Sequence, residues 1–178
     1  TAKNKDFLTV YKQNRVDGFI MLSPSIFEIK QYEILNSLKV PYVATAEISL
    51  PGAQNFVEVD NCKGITLAVD HLVSLGHRKI AFINVSSFLA SFKERLNGYK
   101  KGLEKNKLQL REDYIKVGGS TINGGHEAAK ELLNMGDKPT AIVCGNDMLA
   151  IGAIKYIKSI NLRIPEHCSV TGFDDIPL

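Results

Sequence analysis

The chain has 178 residues, of which 44% are hydrophobic and 23% are charged, the balance of an ordinary water-soluble globular protein. A chain of this length buries roughly 70% of its unfolded surface, enough for one large domain or two small lobes. Its formal net charge is only +3, and no cluster of lysine and arginine predicts a nucleic-acid surface. A run of about 18 apolar residues, which a membrane span requires, does not occur.

The cysteines are odd in number, stand far apart and form no CxxC pair. This pattern favours free thiols in a reducing cytoplasm over a disulfide framework. One of them lies inside an apolar segment, where a small buried hydrophobe is a better interpretation than a reactive nucleophile. The cysteines are Cys62, Cys144 and Cys168, and the one in the apolar segment is Cys144.

Apolar strand-like segments and amphipathic helix-like segments alternate along the whole chain. The predicted strands are 16–22, 42–44, 56–59, 79–84, 114–117, 141–144 and 168–172. The predicted helices are one that ends near Arg15 and those at 26–38, 61–75, 92–103, 124–135 and 148–159. This order predicts an α/β fold with a mainly parallel sheet and helices on both of its faces. If the chain forms two lobes, the cleanest boundary lies near Gly76, between residues 1–76 and 77–178.

The segment from Val57 to Ile83 is the best-defined strand–helix–strand unit. Its helix has one apolar stripe at the spacing i, i+3, i+4 and i+7, formed by Ile65, Ala68, Val69 and Leu72. Asp60 or Asn61 can cap the start of this helix, and Gly76 can adopt the left-handed conformation that ends it. The run that follows is too apolar to be half exposed, so we expect a buried strand.

Polar side chains follow the predicted strands at their carboxyl ends, where open parallel sheets bind their ligands. They are Ser23, Ser25, Asp60, Asn146, Asp147, Asp174 and Asp175, together with the loop 85–91. Carboxylates, amides and hydroxyls, with aromatic rings for apolar contact, suit a neutral polyol. We expect Arg95, in the first turns of its helix, to reach the same edge with up to five donors.

Each of these residues also has a structural interpretation that the residues alone leave open. Acids and amides before a helix fit caps, acids after the last strand fit a turn, and Arg95 fits a surface ion pair. The candidate caps are Asp60, Asn146 and Asp147, the turn residues are Asp174 and Asp175, and the ion-pair partners are Glu94 and Asp113. Phe88 and Phe92 fit the hydrophobic core better than a ligand platform.

Motifs for catalysis, metal binding and nucleotide binding are absent from the sequence. The histidines show no HExxH motif or paired metal-ligand spacing, and no GxGxxG, P-loop or GxSxG sequence occurs. The histidines are His71, His77, His126 and His167, of which His71 and His77 fit positions at a helix end. The sequence therefore predicts a protein that is not an enzyme and that uses no metal or cofactor.

Four motifs occur in an order that resembles the LacI/GalR family of transcription regulators. The first is VxxDNxxGxxxAxxHLxxLGHRxIAxI, which runs from Val57 to Ile83. The second is RxxGY at residues 95–99, and the third is PTAI at 139–142 with NDxxA at 146–150. The fourth is IP at 164–165 followed by SVTGFDD at 169–175, in which Thr171 stands where valine is common in the family. The ordered set is highly specific.

The resemblance implies a two-lobed, doubly wound fold of the type I periplasmic-binding-protein class, with a small molecule bound between the lobes. It also implies a ligand-binding set, in which the last two members come from a variable loop. That set is Arg95, Asn146, Asp174, Asp60, Ser91 and Leu89. The similarity covers nearly the whole chain, which is expected to be the middle of a family member, cut at both ends.

The resemblance further implies the effector-binding and dimerisation domain of a cytoplasmic transcription regulator of the repressor type. The expected partners are a sugar or sugar-like effector, a second copy of the chain, and operator DNA bound through a headpiece absent from these residues. No membrane partner is expected. The alternative is a type I periplasmic sugar-binding protein of a transport system, which shares the fold. The unpaired cysteines argue against that extracytoplasmic alternative.

Overall fold

The computed structural model describes residues 6–13, 15–22, 29–45, 55–85 and 90–177. The chain divides into two compact units, Thr1–Val59 (unit 1) and Asp60–Leu178 (unit 2). This division lies earlier in the chain than the boundary predicted near Gly76. The reason is that the helix before Gly76 packs against later elements of unit 2, so the glycine ends a helix without ending a unit.

Unit 1 contains a parallel three-stranded sheet in the order β1-β2-β3. Its described elements are α1 (Asp6–Lys12), β1 (Phe19–Leu22), α2 (Ile29–Ser37), β2 (Tyr42–Thr45) and β3 (Phe56–Val57). Its core cluster consists of Tyr32, Leu35, Val40, Tyr42 and Ala44. Along β2, buried and exposed residues alternate, as expected for a strand with one covered face.

Unit 2 contains a parallel four-stranded sheet in the order β5-β4-β6-β7. Its helices are α3 (Asn61–Ser74), α4 (Ala90–Lys105), α5 (Ile122–Leu133) and α6 (Asp147–Ser159), with a short 3-10 turn at Glu112–Tyr114. Its strands are β4 (Ile80–Asn84), β5 (Ile115–Val117), β6 (Ala141–Cys144) and β7 (Ser169–Thr171). The predicted α/β order and the parallel pairing are confirmed.

Helices cover both faces of the unit 2 sheet. On one face, α3 and α4 form a cluster with the strand residues Ile80, Phe82, Ala141 and Val143. On the other face, α5 and α6 pack against Ala81, Ile83, Ile142 and Cys144. Because successive side chains of a strand point to opposite faces, residues 80–83 of β4 and all of β6 must be apolar to fill both clusters. This explains why their sequences read as continuous hydrophobic runs.

His77 joins the amino-terminal ends of three strands in unit 2. Its Nδ1 lies 2.9 Å from Thr140 Oγ1 and its Nε2 lies 2.9 Å from Ser169 Oγ. The Thr140 hydroxyl donates to the carbonyl of Lys79, so Thr140 accepts from His77 Nδ1–H, and Ser169 donates to Nε2. This assigns His77 as the neutral Nδ1–H tautomer. The sequence interpretation as a helix-end residue did not include this bridging role.

Protonation of His77 is expected to make the protein less stable as the pH falls below about 6.5, the ordinary histidine value. Burial lowers the pKa of His77 in the folded protein, so between the two pKa values the unfolded chain binds more protons. The stability that neutral His77 contributes is complete above its pKa in the unfolded chain. It is lost as the pH falls from that value through the lower pKa of His77 in the folded protein. Urea unfolding of wild type and His77→Leu at pH 7.5 and pH 5.5 measures it. The variant should lose about 1–3 kcal/mol at pH 7.5 and show a smaller pH dependence, and equal pH slopes would contradict this assignment.

Candidate functional site

The carboxyl ends of β4, β6 and β7 meet the amino-terminal ends of α3, α4 and α6 at one edge of unit 2. We call this region the carboxyl edge. Arg95 lies on the buried side of α4 and is only 9% exposed, so the alternative of a surface ion pair with Glu94 or Asp113 is wrong. Its guanidinium group reaches the carboxyl edge, as the helix position predicted.

Arg95 connects three segments of the chain through hydrogen bonds. Its Nε donates to Asn61 Oδ1 at 2.8 Å, which ties α4 to the start of α3. Its Nη1 donates to the carbonyl oxygen of Gly145, at the end of β6. Its Nη2 lies 3.4 Å from Asp174 Oδ1, beyond the end of β7. The four motifs therefore converge on one guanidinium group, since each contributes Arg95 itself or a residue in or next to the motif.

Two aromatic rings lie against the same guanidinium group. The central carbon of Arg95 is 3.9 Å from the ring centroid of Phe173 and 5.0 Å from that of Phe92. A cation over an aromatic face is attracted by the negative face of the ring, and more strongly where water is excluded. Phe173 also lies where a side chain on Gly64 would project, since a β carbon there would be 3.1 Å from Phe173 Cζ. The glycine of the DNxxG motif thus makes room for the ring that contacts Arg95.

Asp174 is a partly desolvated carboxylate at the rim of the site. Its side chain is 40% exposed, and its backbone has a φ of 119°, a region that residues other than glycine rarely adopt. Burial raises the pKa of Asp174, while the positive charge of Arg95 offsets part of this rise and the negative charge of Asp147 adds to it. Such a carboxyl group accepts hydrogen bonds more strongly than one in bulk water.

The segment that carries Asp174 is anchored by Asp147. The Oδ2 atom of Asp147 accepts a hydrogen bond of 2.9 Å from the backbone N–H of Ile176. The other carboxylate oxygen occupies the space beside Gly172, where any β carbon would collide with it. Asp147, at the first position of α6, therefore contacts the segment after β7 at two points, one before and one after Asp174.

The cap interpretations of Asp60 and Asn146 are both confirmed. Asp60 Oδ1 accepts from the N–H of Lys63 at 2.8 Å, and Asn146 Oδ1 accepts from the N–H of Leu149 at 2.9 Å. Asp60 is exposed and directly precedes Asn61, while Asn146 is buried and directly follows Gly145. Capping does not remove either residue from the carboxyl edge, since both are next to a residue that binds Arg95.

The last two members of the predicted ligand-binding set, Ser91 and Leu89, come from the start of α4 and the segment before it. Ser91 is buried, four residues before Arg95 and hence on the same face of α4. Leu89, Phe88, Ser23 and Ser25 lie outside the described residues. Among the described residues, no group of three histidine, cysteine or acidic side chains is placed to hold a metal ion.

The sequence interpretation missed four contributors to the site: Asn61 as a partner of Arg95, the carbonyl group of Gly145, the ring of Phe173, and Asn84. Asn84, at the end of β4, is buried, and its Nδ2 donates to the carbonyl oxygen of Phe92 at 2.9 Å. A polar residue at the end of an apolar strand was the only signal for it. For Asn61, the sequence pattern indicates only a helix cap.

Asn84 and Gly145 are expected to show strong thermodynamic coupling. A β carbon on Gly145 would lie 2.6 Å from Asn84 Oδ1, whereas its next-nearest neighbours would be 3.4 Å away. Gly145→Ala should therefore cost about 1–3 kcal/mol in the wild type and much less in an Asn84→Ala background. Urea unfolding of the two single variants and the double variant measures the coupling. Strictly additive effects would show that Asn84 is not the obstacle.

The sequence profile of the periplasmic binding protein-like domain matches residues 69–178, well over half of the chain. The chain belongs to this family. The PurR transcriptional repressor of Aliivibrio salmonicida, described as helix-turn-helix type, is 30% identical over 177 residues, covering 99% of this chain and 53% of the relative. This periplasmic binding protein-like chain thus spans about half the length of the curated relatives it matches.

Solved structures of LacI-family regulators share the fold. A LacI-family regulatory protein from Chloroflexus aggregans matches with a TM-score of 0.88 and 29% identity over 96% of this chain and 61% of its own. A LacI-family sugar-binding transcriptional regulator from Escherichia coli, complexed with phosphate, matches with a TM-score of 0.83 and 30% identity, covering 98% of this chain and 63% of its own. The resemblance drawn from the four motifs is confirmed.

Among the described helices, none has both the length and the apolar character that a membrane span requires.

Proposed function

We propose that the chain is the effector-sensing part of a cytoplasmic LacI-type transcription regulator, and that it binds a small, neutral, sugar-like molecule at the carboxyl edge of unit 2. The observation that carries the proposal is the convergence on Arg95 of Asn61, Gly145, Asp174 and Phe173. A buried guanidinium group held by three chain segments is a preorganised donor. Preorganisation lowers the entropic cost of binding a ligand.

The chemistry of the carboxyl edge supports a neutral ligand with several hydroxyl groups. Arg95 supplies donors, the carboxylates of Asp174 and Asp60 accept from hydroxyls, and the amide Nδ2 of Asn146 is a second donor because its Oδ1 serves the helix cap. The aromatic ring of Phe92 supplies apolar contact for the carbon skeleton. Carboxylates outnumber the one buried cation at this edge, so a ligand with a negative charge would meet repulsion. The Escherichia coli relative is itself named as sugar-binding.

The regulatory step follows from a difference in affinity. The complete regulator is proposed to be a homodimer that binds operator DNA through a headpiece outside these residues. A ligand shifts an equilibrium between two conformations only by the ratio of its affinities for them. The effector therefore changes operator affinity if it binds more tightly either to the DNA-bound or to the free conformation. The sign of this change decides between induction and co-repression.

The alternative, a sugar-binding protein of a transport system, is not favoured. The three relatives are named as transcriptional repressors or regulators, and none of them is named as a transport component or an enzyme. Buried cysteines that form no disulfide, such as Cys144 and Cys168, are typical of proteins in reducing compartments. A transport protein and a regulator would share a ligand site, and only the regulator would couple it to DNA.

A ligand screen on the complete protein, followed by a DNA-binding assay, tests the proposal. Thermal unfolding is recorded with a panel of monosaccharides, disaccharides, their phosphate esters and nucleosides. A true effector at about 100 times its Kd adds about 2.7 kcal/mol of stability, which raises the melting temperature by several degrees. Fluorescence anisotropy with DNA selected from a random duplex pool then compares operator affinity with and without the effector.

Three results would overturn the proposal. Preference for phosphate esters over the neutral sugars would refute the assigned ligand class. Stabilisation by a neutral sugar with no selectable DNA sequence would favour the transport protein. Chemical conversion of the stabilising compound by the purified protein would show an enzyme.

A further inference from the structure

The orientation of Arg95 depends on which atoms hold its planar guanidinium group. Asn61 is buried, and its Oδ1 accepts from Nε at 2.8 Å. Because Nε–H is a donor only, the atom of the Asn61 amide that faces it must be the oxygen, which fixes the orientation of the amide. With Nε held on one side, the two Nη atoms face Gly145 and Asp174.

Asn61 is a neutral acceptor, and this has an electrostatic consequence. A carboxylate at this position would satisfy Nε equally well but would cancel the charge of Arg95 inside the site. The carbonyl oxygen of an amide satisfies the hydrogen bond while leaving the cation's charge directed at Asp174 and the rim. Asp60, one residue earlier, does carry a carboxylate, and that carboxylate accepts from the backbone of Lys63 instead.

Asn84 lies next to two residues that contact the guanidinium group of Arg95, namely Phe92 and Gly145. Its Nδ2 donates to the carbonyl oxygen of Phe92, whose ring lies 5.0 Å from the Arg95 central carbon. Its Oδ1 lies over Gly145, whose carbonyl oxygen accepts from Arg95 Nη1. This buried Oδ1 has no hydrogen-bond donor among the described residues. A buried acceptor without a donor is a net cost, which indicates that stability alone does not account for the residue.

We infer that Asn61 and Asn84 are positioning residues for Arg95: Asn61 fixes the plane of the guanidinium through Nε, and Asn84 fixes the spacing between the start of α4 and the end of β6. Both asparagines precede Arg95 in the sequence: Asn61 is the first residue of α3, and Asn84 is the last residue of β4. Together they set the direction of the Nη donors before any ligand arrives. The value of this arrangement to an effector rests on the proposed function, whereas the positioning itself does not.

Hydrogen exchange at Arg95 Nε tests the role of Asn61 without any ligand. The complete protein is labelled with 15N-arginine, and the Arg95 Nε–H signal is identified by its loss in Arg95→Lys. We expect exchange at least tenfold slower than that of exposed arginines in the wild type and in Asn61→Asp, which keeps the acceptor. Asn61→Leu, similar in size but without an acceptor, should lose this protection.

Two further measurements test whether the protection of Arg95 Nε–H depends on Asn61. Asn123→Leu, at an exposed position on α5, should leave the Arg95 signal unchanged. Fast exchange of Arg95 Nε in the wild type would overturn the inference even if Asn61→Leu did not fold. Equal protection in Asn61→Leu and the wild type would also overturn it.

The role of Asn84 is tested by Asn84→Asp, which keeps the shape of the side chain but replaces the donor to Phe92 with an acceptor. We expect the Arg95 Nε–H signal to shift and to exchange at least threefold faster, while backbone amides of α5 and α6 keep their positions. An unchanged Arg95 signal would remove Asn84 from the positioning set. A uniform change in all backbone signals would show a general structural role instead.

Discussion

Replacing Gly98 with alanine is expected to lower the free energy of unfolding by about 3 kcal/mol, the upper end of the usual cost of overpacking. A β carbon at this position would overlap the backbone carbonyl oxygen of Cys62 and lie 3.0 Å from Cys62 C and Cα. These are backbone atoms of the first turn of α3, so no side-chain rotation relieves the clash. The Thr66 hydroxyl links α3 and α4 at the same point, because it lies within hydrogen-bond distance of the carbonyl oxygens of Cys62, at 2.9 Å, and Gly98, at 3.0 Å.

Gly136→Ala is the matched control for this prediction. An added β carbon at Gly136 would have no atom within 4 Å, and its backbone is not left-handed. This variant should be neutral or slightly stabilising, since alanine restricts the unfolded chain more than glycine does. Equilibrium unfolding in urea compares both variants with the wild type. A Gly98→Ala protein as stable as the Gly136→Ala protein would show that α3 and α4 do not pack as closely as described.

The clash at Gly98 is also expected to reach the site. Gly98 lies one turn after Arg95 on α4, and Cys62 directly follows Asn61 on α3. Moving the helices apart would therefore lengthen the Nε to Asn61 Oδ1 hydrogen bond, which is 2.8 Å in the wild type. The glycine in the RxxGY motif thus links helix packing to the orientation of the arginine in the same motif.

Local features of the sequence were enough to predict most elements of unit 2 and the edge where the site lies. The stripe containing Ile65, Val69 and Leu72 gave α3, and the left-handed Gly76, at a φ of 94°, ends it as expected. The position of Arg95 beside the apolar stripe of α4 placed its side chain toward the carboxyl edge. Each of these inferences depends on residues within a few turns of one another.

Features that depend on distant residues could not be predicted in the same way. Arg95 is 34 residues from Asn61 and 79 residues from Asp174, and nothing in their local patterns pairs them. The boundary predicted near Gly76 and the division of the structure at Val59 differ for a related reason. Gly76 is a strong local signal for the end of a helix, but the assignment of that helix to unit 2 depends on its packing against α4 and β6.

Replacing Arg95 is expected to have the largest effect on ligand binding. Arg95→Leu removes charge-assisted hydrogen bonds worth about 1.5–3 kcal/mol each, so the affinity for the effector should fall by about 100-fold. Arg95→Lys keeps the charge but not the planar fork, and one ammonium group cannot serve Asn61, Gly145 and Asp174 together. We therefore expect Lys to rescue little of the lost affinity. Isothermal calorimetry with the effector found in the screen measures both variants.

Arg95→Leu should also lower the stability of the unliganded protein and change the pKa of Asp174. These effects distinguish a residue that holds the site together from one that only contacts the ligand. Arg95→Leu should cost about 2 kcal/mol of stability, because Asn61 Oδ1 and Gly145 O lose the hydrogen bonds that Arg95 donates, while Asp174 is still partly solvated. Loss of the cation should raise the pKa of Asp174 further, since Arg95 now offsets part of the effect of burial. Carbon-13 titration of the Asp174 carboxyl group checks this direction, with Arg163→Leu, at an exposed position, as the control. An unchanged Asp174 pKa together with unchanged effector affinity would mean that the guanidinium group is not at the centre of the site.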